Sequence, residues 1–283
     1  VTEVKQGGLF EVTSPELDFG NGAVLEASGR IASSRVTASV LTATFEQDDA
    51  MIDLLVRGND GREIPTATLW YCVADEERPA CPVELTMTAV TVSSVAIAGD
   101  ASRRVDIGFS YETLTMRSDR IDERGTIVPG RSFGYDFVDN LAEGSAGTIP
   151  APLEPPEPYA FSIAGHVVDA PATSFGNAFD NGAEPSTPRT GDAVHEPLEV
   201  TAPLSPALTA LYEVVVTIEP TEIDVERRCP AECAAQGAGT GPAVVTRLAI
   251  SDEEVTFAAS YLQINWTFES KTRGWDLALE TPI

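Results

Sequence analysis

Residues 253–283 read EEVTFAASYLQINWTFESKTRGWDLALETPI: a long alternating stretch, a turn, and a short closing segment built on Gly274-Trp275-Asp276-Leu277. A related passage fills residues 103–140, RRVDIGFSYETLTMRSDRIDERGTIVPGRSFGYDFVDN. Aligning Ser110-Tyr111 with Ser260-Tyr261 sets an offset of 150 residues. Val105, Ile107, Tyr111, Leu114 and Met116 then fall on Val255, Phe257, Tyr261, Ile264 and Trp266. In both passages the apolar residues hold odd numbers up to the tyrosine and even numbers after it. A period of two marks a strand with one buried face, and a slip of one residue turns that face over, as a β-bulge or a strand bend does. The same slip at the same place twice reads as a repeated unit. Gly134-Tyr135-Asp136-Phe137 and Gly274-Trp275-Asp276-Leu277 align at an offset of 140, so the second hairpin loop is ten residues shorter.

A chain of 283 residues is long enough for two such units, each with its own core. The reading is of a β-domain over residues 1–140, a linker over 141–158, and a second β-domain over 159–283. Five prolines, at 150, 152, 155, 156 and 158, extend the linker. In polyproline form its residues span on the order of 50 Å, enough to set two domains side by side. Thr and β-branched residues are plentiful, Gly and Pro recur, and few segments carry a helical period, which together indicate a mainly all-β class.

Acidic residues outnumber basic ones by 44 to 18, and the net charge is −26. Only Lys5 and Lys271 are lysine. Binding nucleic acid needs clusters of Lys and Arg to neutralise phosphate, so this balance argues against it, and against docking on anionic lipid. No apolar run approaches the roughly 18 residues of a membrane-spanning helix. The surface reads as solvated and self-repelling, suited to a secreted, acidic or salt-adapted protein. No D-x-D-x-D-G loop is present to turn the carboxylates into a calcium site.

The numbering starts at Val1 with no initiator Met, as it would after removal of a signal peptide or in a trimmed chain. The four cysteines form two local pairs, Cys72 with Cys81 and Cys229 with Cys233. Two disulfides are expected, and with them an oxidising, extracellular location. Spacings of C-x8-C and C-x3-C with only His166 and His195 to help fit a zinc site poorly.

Along the first domain, strands are expected near residues 8–13, 23–32 and 35–46 around Asn21-Gly22, a pair that favours a tight hairpin turn. Phe19-Gly20-Asn21-Gly22-Ala23 has relatives in Ser174-Phe175-Gly176-Asn177-Ala178 and Phe179-Asp180-Asn181-Gly182-Ala183. Residues 47–58 then take a helical period: Met51, Ile52, Leu54 and Leu55 follow Asp48 and Asp49, with Gly58 or Gly61 as the stop. The second domain repeats the short helix at Leu204–Glu213, with Ser205 as cap and Pro206 in the first turn. Further strands are expected at residues 64–73, 83–97, 198–202, 214–218 and 244–250. An edge strand is expected from Tyr159 to Gly165, and an exposed loop from Asn177 to Asp192.

A helix introduced by Ser205-Pro206-Ala207-Leu208, a strand carrying Val92-Ser93-Ser94-Val95, and a long penultimate strand closing on Gly-Trp-Asp resemble the haemolysin-coregulated protein (Hcp) family. These are the tube-forming proteins of type VI secretion, related in fold to phage tail-tube proteins. The resemblance covers most of both halves and is strongest over residues 90–140 and 253–279. It implies two tandem Hcp-like β-barrels, each with one short α-helix, and a fold set by Tyr111, Gly134, Tyr135 and Asp136 in the first and by Tyr261, Trp266, Gly274, Trp275 and Asp276 in the second. Typical members are single-domain and cytoplasmic, whereas this chain is doubled and carries paired cysteines. Three doubled chains would close a pseudo-hexameric ring. The expectation is a secreted, self-assembling structural protein whose rings stack into an extracellular tube or filament. The alternatives are a tube component of a type VI-like or contractile injection machine, and a secreted ligand- or carbohydrate-binding adhesion module.

No enzyme is expected. His166 and His195 have no G-x-S-x-G nucleophile beside them, and the carboxylates show no pairing that marks a general acid and base. Gly237-Ala238-Gly239-Thr240-Gly241 lacks the Lys and Ser/Thr of a phosphate loop and reads as an ordinary loop. No catalytic, cofactor or metal residue is therefore assigned, and the expected partner is a second copy of the chain.

Overall fold

The computed structural model describes residues 12–26, 28, 30–32, 35–46, 51–73, 80–97, 104–122, 124–149, 159–163, 165–170, 174–176, 179–180, 194–227, 236–251, 254–268, 271–276 and 281–282. In chain order the first part holds β1 (Val12–Gly20), β2 (Val24–Leu25), β3 (Ile31–Ala32), β4 (Thr37–Ala38), β5 (Leu41–Glu46), α1 (Met51–Asp60), β6 (Ile64–Val73), β7 (Ala80–Ile97), β8 (Arg104–Ser110), β9 (Thr113–Ile121), β10 (Ile127–Asp136) and β11 (Leu141–Ala146). Then follow β12 (Tyr159–Ile163), β13 (His166–Ala170), β14 (Ser174–Gly176), β15 (Phe179–Asp180), β16 (Val194–His195), β17 (Leu198–Pro203) and α2 (Leu208–Thr217). The chain ends with β18 (Ile223–Arg227), β19 (Gln236–Thr240), β20 (Ala243–Ile250), β21 (Glu254–Tyr261), β22 (Gln263–Phe268), β23 (Lys271–Asp276) and β24 (Thr281–Pro282). The protein is mainly β, with two helices among the described residues.

The slip in alternation at Tyr111 and Tyr261 is a corner. The chain breaks between β8 and β9 at Tyr111-Glu112, and between β21 and β22 at Leu262. Before each break the strand pairs with one set of neighbours (β8 with β5, β21 with β17), and after it with another (β9 with β10, β22 with β23). Val105, Ile107, Phe109, Leu114 and Met116 are buried, as are Val255, Phe257, Ala259, Tyr261 and Ile264, so the core face changes from odd to even numbers at both corners. Strands that turn from one sheet into another need such a bend to keep their apolar side inward. β7 bends likewise: Val83–Thr88 run beside β9, Thr91–Ile97 run beside β8, and Ala89 between them has φ 50. In the second half the same run is split into β19 and β20 by Gly241-Pro242.

Pairing registers recur with the offsets read from the sequence. Leu114 faces Tyr135 and Ser118 faces Arg131, while Ile264 faces Trp275 and Phe268 faces Lys271. The longer first hairpin is thus spliced in between Ser118 and Arg131. The β7–β8 ladder slips between Val92 and Ser94, and the β20–β21 ladder slips between Val245 and Arg247, with Val95 facing Ile107 and Leu248 facing Phe257. Phe19 faces Ala38 on β4, and Phe179 faces His195 on β16.

Several local expectations are corrected. Asn21-Gly22 makes no hairpin turn: neither residue has positive φ, and β1 pairs with β5, β4 and β20 rather than with β2. Strand β1 runs on to Gly20, beyond the expected end at residue 13, while residues 8–11 lie outside the described residues; among the described residues of 23–46 there are four strands rather than two. Residues 214–218 were expected as a strand because of Val214-Val215-Val216-Thr217, but Val214–Thr217 complete α2. Eight of the ten residues of that helix are buried, and burial on several sides outweighs the modest helix penalty of β-branched residues. Ser205 does not cap α2; its hydroxyl accepts the Ala207 N–H in a turn before the helix. The first helix runs through Gly58 and stops at Gly61, whose φ is 64. A Cβ at Gly58 would sit 2.8 Å from a Val92 methyl, so glycine lets α1 lie close on β7. Strand β12 is not an edge, since β13 and β18 flank it. Residues 141–146 form β11 on β10, so the linker's first six residues are part of a sheet.

Cys72 and Cys81 form a disulfide between the ends of β6 and β7. Closing a loop of that length restricts the unfolded chain by about 2–3 kcal/mol. Cys229 and Cys233 lie outside the described residues, as does most of the segment from Asn177 to Asp192.

Candidate assembly interface

One sheet runs through both halves in the order β11-β10-β9-β7-β8-β5-β1-β20-β21-β17-β14, and the crossing point is β1 against β20. Val12–Glu16 of β1 pair with β5. Ser14, with φ 49, sits at a bulge within that pairing, and beyond it Leu17–Gly20 pair with Ile250–Arg247 of β20. Across this seam the Arg247 guanidinium donates to the Asp18 carboxylate at 2.7 and 2.9 Å.

Helix α2 is the second component of the seam. Its inner face packs on β20 of its own half, and it also packs against β9, β10 and β1. Thr209 is completely buried; its hydroxyl meets the Ser118 hydroxyl and donates to the Arg131 carbonyl at 3.1 Å. Ser118 in turn donates to the Pro206 carbonyl at 2.6 Å. The Glu213 carboxylate pairs with the Arg131 guanidinium. Buried hydroxyls cost free energy unless each finds a partner, and here each donates to a carbonyl of the other half, with Ser118 also accepting the Thr209 N–H.

An aromatic cluster fills the space between. The Tyr212 ring is fully buried, 5.0 Å from Phe19 and 5.8 Å from Phe133, and its hydroxyl donates to the Leu114 carbonyl at 3.2 Å. Phe137 stacks on Phe19 at 6.1 Å and meets Tyr111 and Tyr135 edge-on at 5.8 and 5.2 Å. Asn21 closes the seam from the chain's beginning. Its side-chain amide, 2 % exposed, donates to the carbonyls of Val215 on α2 and Val245 on β20 at 2.7 and 2.9 Å.

Burial pushes the phenols of Tyr111 and Tyr212 well above the ordinary tyrosine range. The Tyr111 hydroxyl is buried with no hydrogen-bond partner among the described residues. The unfolded chain ionises its tyrosines near pH 10, whereas the folded chain keeps these two protonated. The unfolded state therefore holds fewer protons above that pH, and the stability these two phenols contribute, level below it, falls as pH rises through the alkaline range. A pH titration followed by phenolate absorbance and circular dichroism should show part of the phenolate signal appearing only as the fold is lost.

Of the residues assigned to the fold motif, Tyr111 and Tyr135 meet in this cluster. Gly134 sits where a Cβ would press on Glu143 and Thr115 at 3.1 Å, and the Asp136 carboxylate accepts the N–H groups of Val138 and Asp139. Their counterparts lie apart, in the second half. Tyr261 is buried and donates to the Glu196 carbonyl, Trp266 is half-buried against the core, and the buried Asp276 accepts from Gln263 at 2.7 Å. Gly274 and Trp275 are placed on β23. Sequence reasoning missed Phe19, Asn21, Ser118, Arg131, Thr209, Tyr212 and Glu213. The one signal available was the recurrence of Phe-x-Asn-Gly-Ala at residues 19 and 179.

Among the described residues no group of three or more His, Cys, Asp or Glu is placed to hold a metal ion, and no helix is long and apolar enough to cross a membrane. The family described as "Type VI secretion system effector, Hcp" matches residues 3–117. Over those residues the chain resembles the Hcp family. Among solved Hcp structures, Hcp1 from Salmonella typhimurium is 21 % identical with a TM-score of 0.35, covering 47 % of this chain and 83 % of its own. Hcp2 from the same organism is 20 % identical with a TM-score of 0.32, covering 50 % and 89 %. The secreted protein Hcp3 from Pseudomonas aeruginosa is 13 % identical with a TM-score of 0.30, covering 45 % and 75 %. Each Hcp structure thus spans about half of this chain. No curated protein matches it.

Proposed function

We propose that this chain is a structural, self-assembling protein made of two Hcp-like units in tandem, residues 1–140 and 159–283. Its halves are joined head to tail, and three chains close a pseudo-hexameric ring that stacks into a tube. The observation that carries this reading is the seam itself. One side of the first half, formed by β1, β9 and β10, meets a different side of the second half, formed by α2 and β20. A joint between unlike faces leaves one face of each kind unused at the ends of the chain, and repetition of such a joint gives a ring when the rotation closes. The Hcp match over residues 3–117 favours a tube of the type VI kind as its setting.

An extracellular destination is the reading we attach to the tube. The Cys72–Cys81 disulfide is the supporting feature, since such bonds persist in oxidising compartments. The acidic surface keeps free chains apart by mutual repulsion until the specific joint forms. Negative-stain electron microscopy, with mass-resolved size-exclusion of the purified chain, tests the proposal. Rings of three chains are expected, and monomers alone across protein concentration and salt would sink it.

A further inference from the structure

The seam inside the chain can be compared, residue by residue, with the faces the chain leaves open. Offsets of 157 from β5–α1 to β17–α2 and 153 from the end of β7 to β20 follow from the observed pairings. They place Ile52 and Val56 of α1 where α2 has Thr209 and Glu213. They place Val95 and Ile97 of β7 where β20 has Leu248 and Ile250. In the second half three of these positions are buried, Thr209 and Leu248 at 0 % and Ile250 at 1 % exposure, and Glu213 is partly covered at 25 %. In the first half Ile52 is 57 % exposed, Val56 49 %, Val95 39 % and Ile97 60 %. Four large apolar side chains thus stand open on the face that is buried at the seam in the other half. Among the described residues the outer edge of β7 is unpaired over Thr91–Ile97, where β20 carries β1.

The register positions of the complementary face are also present. Phe179–Asp180 of β15 pairs with β16 as Phe19–Gly20 pairs with β4, yet among the described residues β15 has no strand on the side where β1 takes β20. Strands β22 and β23 hold the register positions of β9 and β10, with Phe268 at the position of Ser118 and Lys271 at that of Arg131.

We infer that α1 and the Thr91–Ile97 edge of β7 form a docking face for the β15, β22 and β23 side of a second copy of this chain. Phe179 would be registered opposite Val95, as Phe19 is opposite Leu248. This rests on the assembly proposed above and names the surfaces that make it. The two joints differ in chemistry. The internal one pairs Thr209 with Ser118 and Glu213 with Arg131, whereas at the external one Ile52 and Val56 hold the positions of Thr209 and Glu213. Two apolar side chains in place of Thr209 and Glu213 distinguish the joint between chains from the joint within one.

Two double variants test this, Ile52→Glu/Val56→Glu and Ile52→Lys/Val56→Lys, read by electron microscopy and mass-resolved chromatography, with circular dichroism confirming the fold. Rings from the wild type and monomers from both variants are the expected result. Rings persisting in both variants overturn the inference while leaving the proposed assembly intact. Loss of rings in the glutamate variant alone also overturns it, because charge repulsion then explains the effect. A wild type that stays monomeric removes the assembly and the docking face together. A separate mixture of Val95→Cys chains with Phe179→Cys chains should yield, on mild oxidation, a covalent dimer joined at those two positions by peptide mapping. Absence of that cross-link from assembled rings overturns the register.

Discussion

Tyr212→Ala lowers the stability of the folded chain by about 3–5 kcal/mol, the range for removing a large buried ring. The effect should be seen as a drop in the urea midpoint with both halves reporting it, because the ring stands between them. Phe19, Phe133 and the Leu114 carbonyl all face the space it vacates. Tyr212→Phe separates packing from hydrogen bonding. It keeps the ring and loses only the bond to the Leu114 carbonyl, so its expected cost is about 1 kcal/mol. A small loss for the alanine variant would mean that the seam contributes little to folding.

Asn21→Leu is expected to cost about 2–4 kcal/mol, despite its near-identical volume and its greater hydrophobicity. The leucine leaves the carbonyls of Val215 and Val245 without the two donors they share, in a place water does not reach. The measurement is the same denaturation midpoint. A further readout is amide hydrogen exchange at the seam, where opening should become easier for the β20 amides paired with Leu17–Gly20. An unchanged midpoint with unchanged exchange would show that water, or another donor, takes over both carbonyls.

The repeating hairpins were legible because their chemistry is local. Alternation on either side of Tyr111 and Tyr261 records which side of a strand is buried, and Gly134-Tyr135-Asp136 and Gly274-Trp275-Asp276 mark where its partner returns. In the fold the registers Leu114 to Tyr135 and Ile264 to Trp275 keep the offsets of the two copies. The seam was illegible for the opposite reason. Nothing in residues 12–20 announces a partner near residue 250. Asn21-Gly22 has the composition of a tight turn, and only its surroundings make Asn21 a bridge instead. Likewise Val214-Val215-Val216 carries a strand's propensity, overruled by the two packed surfaces between which that turn of helix lies. Local pattern speaks for the pairings a segment makes with its near neighbours in sequence. It is silent about contacts whose other member is far along the chain.

The crossing of β1 onto β20 also governs the order of events in folding. Asp18 and Arg247 are 229 positions apart. Such a contact demands closure of a very long loop before it returns any stabilisation, which places it among the late steps of folding. On the ribosome, Leu17–Gly20 must wait as an unpaired edge until Ile250 has emerged. During that interval the β20 of a neighbouring nascent chain can substitute for its own. Exchange of β1 between chains is then the characteristic misfolding route of this architecture, and refolding at high concentration will favour swapped dimers over correctly closed monomers.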